Sequence, residues 1–281
     1  MIKNINNTKI IINITRINSL FILYIMLFDK IIYINLDRRP DRNQNVIEQL
    51  KKLNLYSMSE RFSAVDGKKL NLDDIDSKII TKQGIEDAKK ANVLYIPLTP
   101  GAIGCAMSHR AIYEKIVNEN IARCLILEDD ITFVDDFNKK IEELEKEITY
   151  DYDLFFLGYH GVSQYDVNLP RTNNTYKFIT IYGLFGYIVT KKGAQKLLDL
   201  YPITLQIDSE ITKNSEKIDI YGIGRDSRLI LSDPSQQSYK FGTDIQVKKI
   251  EKFNDNNSYS EYVFIAAFLI LCLIILKIYY L

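Results

Sequence analysis

Leu125-Ile126-Leu127-Glu128-Asp129-Asp130 runs three apolar residues straight into three carboxylates. A short Leu/Ile run bounded by polar residues reads as a buried strand of an α/β sheet. Unpaired carboxylates are too costly to desolvate for the strand to continue through them. The strand therefore ends here, with the acids at its C-terminal tip, where open α/β sheets bind ligands. Side chains alternate along a strand, so Glu128 and Asp130 are expected on one face and Asp129 on the other. Adjacent hard oxygen ligands suit a divalent cation that also holds phosphates, and a solvated acidic turn is the bland alternative.

Working outward, strands and helices alternate, as in a mostly parallel sheet flanked by helices. Ile31 to Leu36 reads as the first strand. A polar turn with Asn35, Arg38, Arg39 and Arg42 follows, and its donors suit a nucleotide and its phosphates. Asp41 is the expected N-cap of a helix reaching about Leu53, with Val46, Ile47, Leu50 and Leu53 on one face. Glu60 to Val65 reads as a second strand, and residues 68–98 as an irregular or weakly helical insertion. After Thr99-Pro100-Gly101 a helix runs to about Asn118, with Ala102, Ala106, His109, Tyr113 and Ile116 inward. An inward histidine is a satisfied core residue or a site residue, and the spacing leaves both open.

Asp135, Asp136, Glu142, Glu143 and Glu145 read as a solvated helix face. Further strands are expected at Asp153 to Gly158, Tyr176 to Ile181, Gly186 to Thr190 and Arg228 to Leu231, and a helix at Lys191 to Leu200. Tyr159 to Thr175 reads as a polar lid loop facing an acceptor, and Asp208 as the cap of a helical turn.

With 281 residues, 36 basic and 36 acidic, the chain has no nucleic-acid footprint. Cys105, Cys124 and Cys272 are far apart and odd in number. They read as small buried apolar groups of a reduced protein, with no histidine partner at metal-ligand spacing. Residues 1–28 are basic then apolar and read as an N-terminal extension or a signal anchor. Residues 29–241 form the main domain and 242–261 a polar linker. Residues 262–281 are long and apolar enough for a transmembrane helix. Lys248, Lys249 and Lys252 precede the uncharged run from Tyr262 to Leu276 and Lys277 alone follows it, so a single-pass membrane protein with a cytosolic catalytic domain is expected.

The ordered motifs resemble glycosyltransferase family 25, the lipopolysaccharide and procollagen galactosyltransferase family. They are Ile34-Asn35-Leu36-Asp37-Arg38-Arg39-Pro40-Asp41-Arg42, Arg61-Phe62-Ser63-Ala64-Val65-Asp66-Gly67, Leu98 to His109, Leu127-Glu128-Asp129-Asp130, Leu157-Gly158, Gly186 to Ala194, and Ile207-Asp208. The resemblance implies a GT-A-like fold. It also implies inverting transfer of a hexose from a UDP-sugar donor to a hydroxyl of a glycan or collagen-like protein, with Mn2+ or Mg2+ as cofactor. It implies donor binding by Asn35, Leu36, Arg38, Arg42, Ser108, His109 and Glu128, and metal binding by Asp129, Asp130 and Asp208. Asp208 and Glu210 are the candidate general bases. The family often carries an acid after Pro-Gly, where this chain has Ala102. A membrane-tethered inactive relative that binds sugar or protein without turnover is therefore the alternative.

Overall fold

A computed structural model describes residues 27–90, 98–162, 172 and 174–232. Both the apolar tail at 262–281 and most of the N-terminal stretch lie outside them. Among the described residues, no helix is long and apolar enough to cross a membrane.

The elements follow the expected rhythm: β1 (Lys30–Asn35), α1 (Pro40–Lys52), β2 (Ser59–Ser63), α2 (Lys82–Lys89), α3 (Pro100–Asn118), β3 (Arg123–Leu127), β4 (Ile131–Phe133), α4 (Phe137–Glu147), β5 (Leu154–Gly158), β6 (Thr175–Lys177), β7 (Gly186–Thr190), α5 (Lys191–Leu198), α6 (Ile207–Lys213), β8 (Ile220–Ile223) and β9 (Ile230–Ser232). Seven strands form one sheet in the order β2-β1-β3-β7-β5-β8-β6. β1 pairs parallel with β2 and β3, and β5 with β8; β7 and β6 run against their neighbours. Five of the seven strands thus point the same way, which makes the sheet mixed but mostly parallel in direction.

Both faces of the sheet are covered, and β3 shows why its sequence is apolar throughout. Cys124 and Ile126 pack with Ile103, Ala106 and Tyr113 of α3, and with residues of α5 and α6. Leu125 and Leu127 pack on the other face with Val46 and Leu50 of α1 and Phe137 and Ile141 of α4. Leu27 and Phe28 are buried in that second layer, so the folded domain begins inside the stretch expected to be an extension.

α1 begins two residues earlier than expected, with Pro40 in its first turn and Arg39 in the N-cap position. Asp41 sits inside the first turn and pairs with Arg39 at 2.8 Å instead of capping. α3 has Thr99 as its cap, whose hydroxyl accepts from the Ala102 amide at 3.0 Å. The strand expected at 176–181 shrinks to β6, and Tyr159 is fully buried with its hydroxyl on the Ile223 carbonyl, so the lid loop cannot start there. The rest of that loop, residues 163–171 and 173, lies outside the described residues.

Candidate active site at the tips of β1 and β3

The chain leaves β1 through α1 towards β2 on one side, and returns through α3 to β3 on the other. α1 and α3 cover opposite faces of the sheet. The C-terminal tips of β1 and β3 therefore flank a topological switch point, the crevice where open α/β sheets take ligands.

The two tips are level, because the last paired residues are Tyr33 and Leu127. Two residues further on, Asn35 donates to Asp129 Oδ2 at 2.7 Å. Arg42, reaching over from α1, donates to Asp129 Oδ1 at 3.0 Å and to Asp130 Oδ2 at 3.4 Å. Asn35 is 1% exposed, and its Nδ2 also donates to the Arg39 carbonyl while its Oδ1 accepts from Arg61. These contacts make Asn35 and Arg42 positioning residues for Asp129. Arg38 pairs with Asp66 at 2.9 Å on the surface, and Leu36 turns the chain through its carbonyl to the Arg39 amide.

The expected alternation holds for Glu128 and Asp129, but Asp130, expected beside Glu128, is reached by the same Arg42 nitrogen as Asp129. Asp129 continues the face of Leu125 and Leu127 towards α1, while Glu128 faces α3, with its Oε1 3.9 Å from His109 Nε2. Asp130 is more open, its side chain 30% exposed against 9% for Asp129. Burial raises the Asp129 carboxyl, with Arg42 and Asn35 opposing it. Burial and then the Glu128 carboxylate push Asp130 up to about 7. The tip thus carries more carboxylate than Arg42 neutralises.

Asp208, in the first turn of α6, is held by backbone amides: Gly183 N at 3.1 Å on Oδ2 and Ser209 N at 2.7 Å on Oδ1. Gly183 has φ +86°, a conformation that favours glycine. The Cys105 thiol is held up by burial and then by Glu128, Asp208 and Asp130, so these three carboxylates act on one region.

Two expected site residues carry structural hydrogen bonds. Glu210 Oε1 accepts from the Thr204 and Leu205 amides at 2.8 and 2.9 Å, and the residue is 6% exposed. Through that one oxygen it clamps the loop before α6. Ser108 is fully buried; its hydroxyl accepts from Val65 N and donates to the Gly104 carbonyl, tying α3 to the segment after β2.

His109 is fully buried, as the helical spacing required. Its Nδ1 lies 2.9 Å from the Tyr187 hydroxyl, which lies 2.7 Å from that of Tyr113. Cys105 is only half-buried and stands four residues before His109 on the same helix, so the cysteine reading above needs correcting. The i,i+4 spacing was the signal that would have joined the two.

The family model for glycosyltransferase family 25 (LPS biosynthesis protein) matches residues 28–211. Procollagen galactosyltransferase 1 of Danio rerio is 31% identical over 182 residues, 63% of this chain and 29% of that protein. Procollagen galactosyltransferase 2 of Homo sapiens is 31% identical over 181 residues, 62% of this chain and 28% of that protein. Inactive glycosyltransferase 25 family member 3 of Mus musculus is 29% identical over 182 residues, 63% of this chain and 30% of that protein. The aligned part is less than a third of each relative's length. Among solved structures, A197 from STIV is similar at 12% identity and a TM-score of 0.34, covering 81% of this chain and 99% of that one, too slight a likeness to bear on function. The match spans β1 to α6 and every acid of the crevice, and on it the chain belongs to glycosyltransferase family 25.

Proposed function

We propose that the domain transfers a hexose, galactose or glucose, from a UDP-sugar to a hydroxyl of a glycan or collagen-like protein, on a GT-A-like fold. One observation carries the reading: Glu128, Asp129 and Asp130 stand together at the switch point, with the Arg42 guanidinium on two of them. That surplus of negative charge fits a hard divalent cation, Mn2+ or Mg2+, with Asp129, Asp130 and Asp208 as the residues to hold it. Such an ion, when bound, would neutralise charge developing on a diphosphate leaving group. The chain's own part is to fix Asp129 through Asn35 and Arg42, and to leave Asp130 open towards the crevice. Asp208, aimed by two backbone amides, is the candidate general base for the acceptor hydroxyl. The names of the procollagen galactosyltransferases support a sugar donor and a collagen-like acceptor; a membrane tether at 262–281 would favour an acceptor at a membrane surface.

The test is UDP release from a panel of UDP-hexoses with and without manganese, then transfer to collagen-like peptides and to glycan acceptors. Metal-dependent release from one donor is expected. A protein that binds UDP but releases nothing from any of them would be the inactive relative instead. Ala102 motivates that second reading. It is the third residue of α3, where an acid would close a capping box with Thr99, so an acid there has a helix-capping role that needs no catalysis.

A further inference from the structure

His109 presents two ring nitrogens to very different surroundings. Nδ1 is held by Tyr187, itself bonded to Tyr113, and the ring lies against both tyrosines. Nε2 is buried and has no hydrogen-bond partner among the described residues. A buried polar atom left unpaired is costly, which favours a ligand that meets it. What faces it is a thiol and a carboxylate: Cys105 Sγ, His109 Nε2 and Glu128 Oε1 all lie within 4.8 Å of one another. His109 and Glu128 are too far apart at 3.9 Å to bond directly.

We propose that Cys105, His109 and Glu128 bind a zinc-class divalent cation. Three protein ligands of sulfur, nitrogen and oxygen type, with a fourth position open, are what zinc takes in its open sites. The Tyr187 hydroxyl on Nδ1 fixes the ring, as outer partners do for ligating histidines. The Glu128 side chain, 24% exposed, opens the group towards the crevice. On binding, the sulfur–metal bond replaces the S–H bond, and the proton leaves to solvent. Thiolate and imidazole select zinc over manganese or magnesium, which separates this site from the all-carboxylate set of Asp129, Asp130 and Asp208 beside it. The inference concerns metal binding alone and stands whether or not the domain is a transferase.

The experiment uses the full chain, stripped of metal and kept reduced. Cobalt(II) is titrated first, followed in the near ultraviolet for thiolate-to-cobalt charge transfer, and then displaced by zinc. A charge-transfer band that zinc abolishes is expected. Cys105→Ser should remove the band and weaken zinc binding by about tenfold or more, and Glu128→Gln should weaken zinc binding while the band remains. Cys272→Ser should keep both. His109→Ala is unsuitable because the ring is buried between two tyrosines; the Cys105→Ser melt, read by circular dichroism, checks that this variant is folded. Absence of the band in the unaltered chain would overturn the proposal. So would zinc affinity unchanged in folded Cys105→Ser, which would mean that zinc sits on the aspartates.

Discussion

Asp129 and Asp130 are neighbours in sequence with different tasks. Asp129 is held in place by Asn35 and Arg42, whereas Asp130 is a raised carboxyl in a crowd of acids. Asp130→Asn keeps the shape and removes the charge. If the acid holds a metal on the donor, UDP-sugar turnover should fall by orders of magnitude while the fold persists. Asp136→Asn, on a 52% exposed side chain, should change neither turnover nor melting temperature. Normal metal-dependent turnover in Asp130→Asn would make the tip purely structural. A pH effect follows from the same residue. Its folded pKa, about 7, lies above the unfolded value, so ionising Asp130 costs stability. That cost is absent below the unfolded value, grows as pH rises, and is complete above the folded value. The metal-free protein should therefore melt higher near pH 5.5 than near pH 8, roughly spanning that titration. Asp130→Asn should flatten the difference, and an unchanged slope in the variant would place its origin elsewhere.

At the scale of elements, α3 is the piece that brings Ser108, His109 and Cys105 to the sheet, and it is seated by close backbone contact. A Cβ on Gly67 would lie 2.1 Å from the Pro100 carbonyl oxygen, and one on Gly104 would lie 2.5 Å from that of Val65. Backbone cannot yield as a flexible side chain can. Gly67→Ala should cost about 3 kcal/mol and lower the melting temperature by several degrees. Gly161→Ala is the matched control, since its Cβ would meet nothing nearer than a Tyr182 ring carbon at 3.9 Å. Equal melting of the two variants would show that α3 shifts freely on the Asp66-Gly67 turn. The elements that the pattern missed, β4 and β8, are three and four residues long. A strand that short has too few residues to display a period, and its partner is supplied from far away: β4 pairs with β9, almost 100 residues on.

For the whole molecule, the question is how the domain is held in the cell. The described residues contain no membrane-length apolar helix, and the apolar stretch at 262–281 lies beyond them. We propose that this stretch tethers a cytosolic catalytic domain, by its length and the lysines before it. Removing residues 262–281 should move the protein from the membrane pellet to the soluble fraction with its metal-dependent UDP release intact. A truncated protein that still pellets would put the anchor at the N-terminal stretch.

Much of this architecture was legible in one dimension. The helical spacing of Ala102, Ala106, His109, Tyr113 and Ile116 buried all five, and the apolar run into Glu128-Asp129-Asp130 placed a strand and its acidic tip correctly. Both depend on local periodicity and on the cost of burying unpaired charge, which act within a few residues. The order of the motifs was enough to point to the family. Pairing across the fold was not legible. That Arg42 would be committed to Asp129, 87 residues away, and that Glu210 would clamp its own loop, depended on which side chains met. The same holds for Glu128 facing His109 and Cys105. Sequence states which groups can donate, accept or ligate; only the packed structure decides which of them are already satisfied and which remain for a ligand, because that depends on distances set by the register of distant strands and the seating of helices.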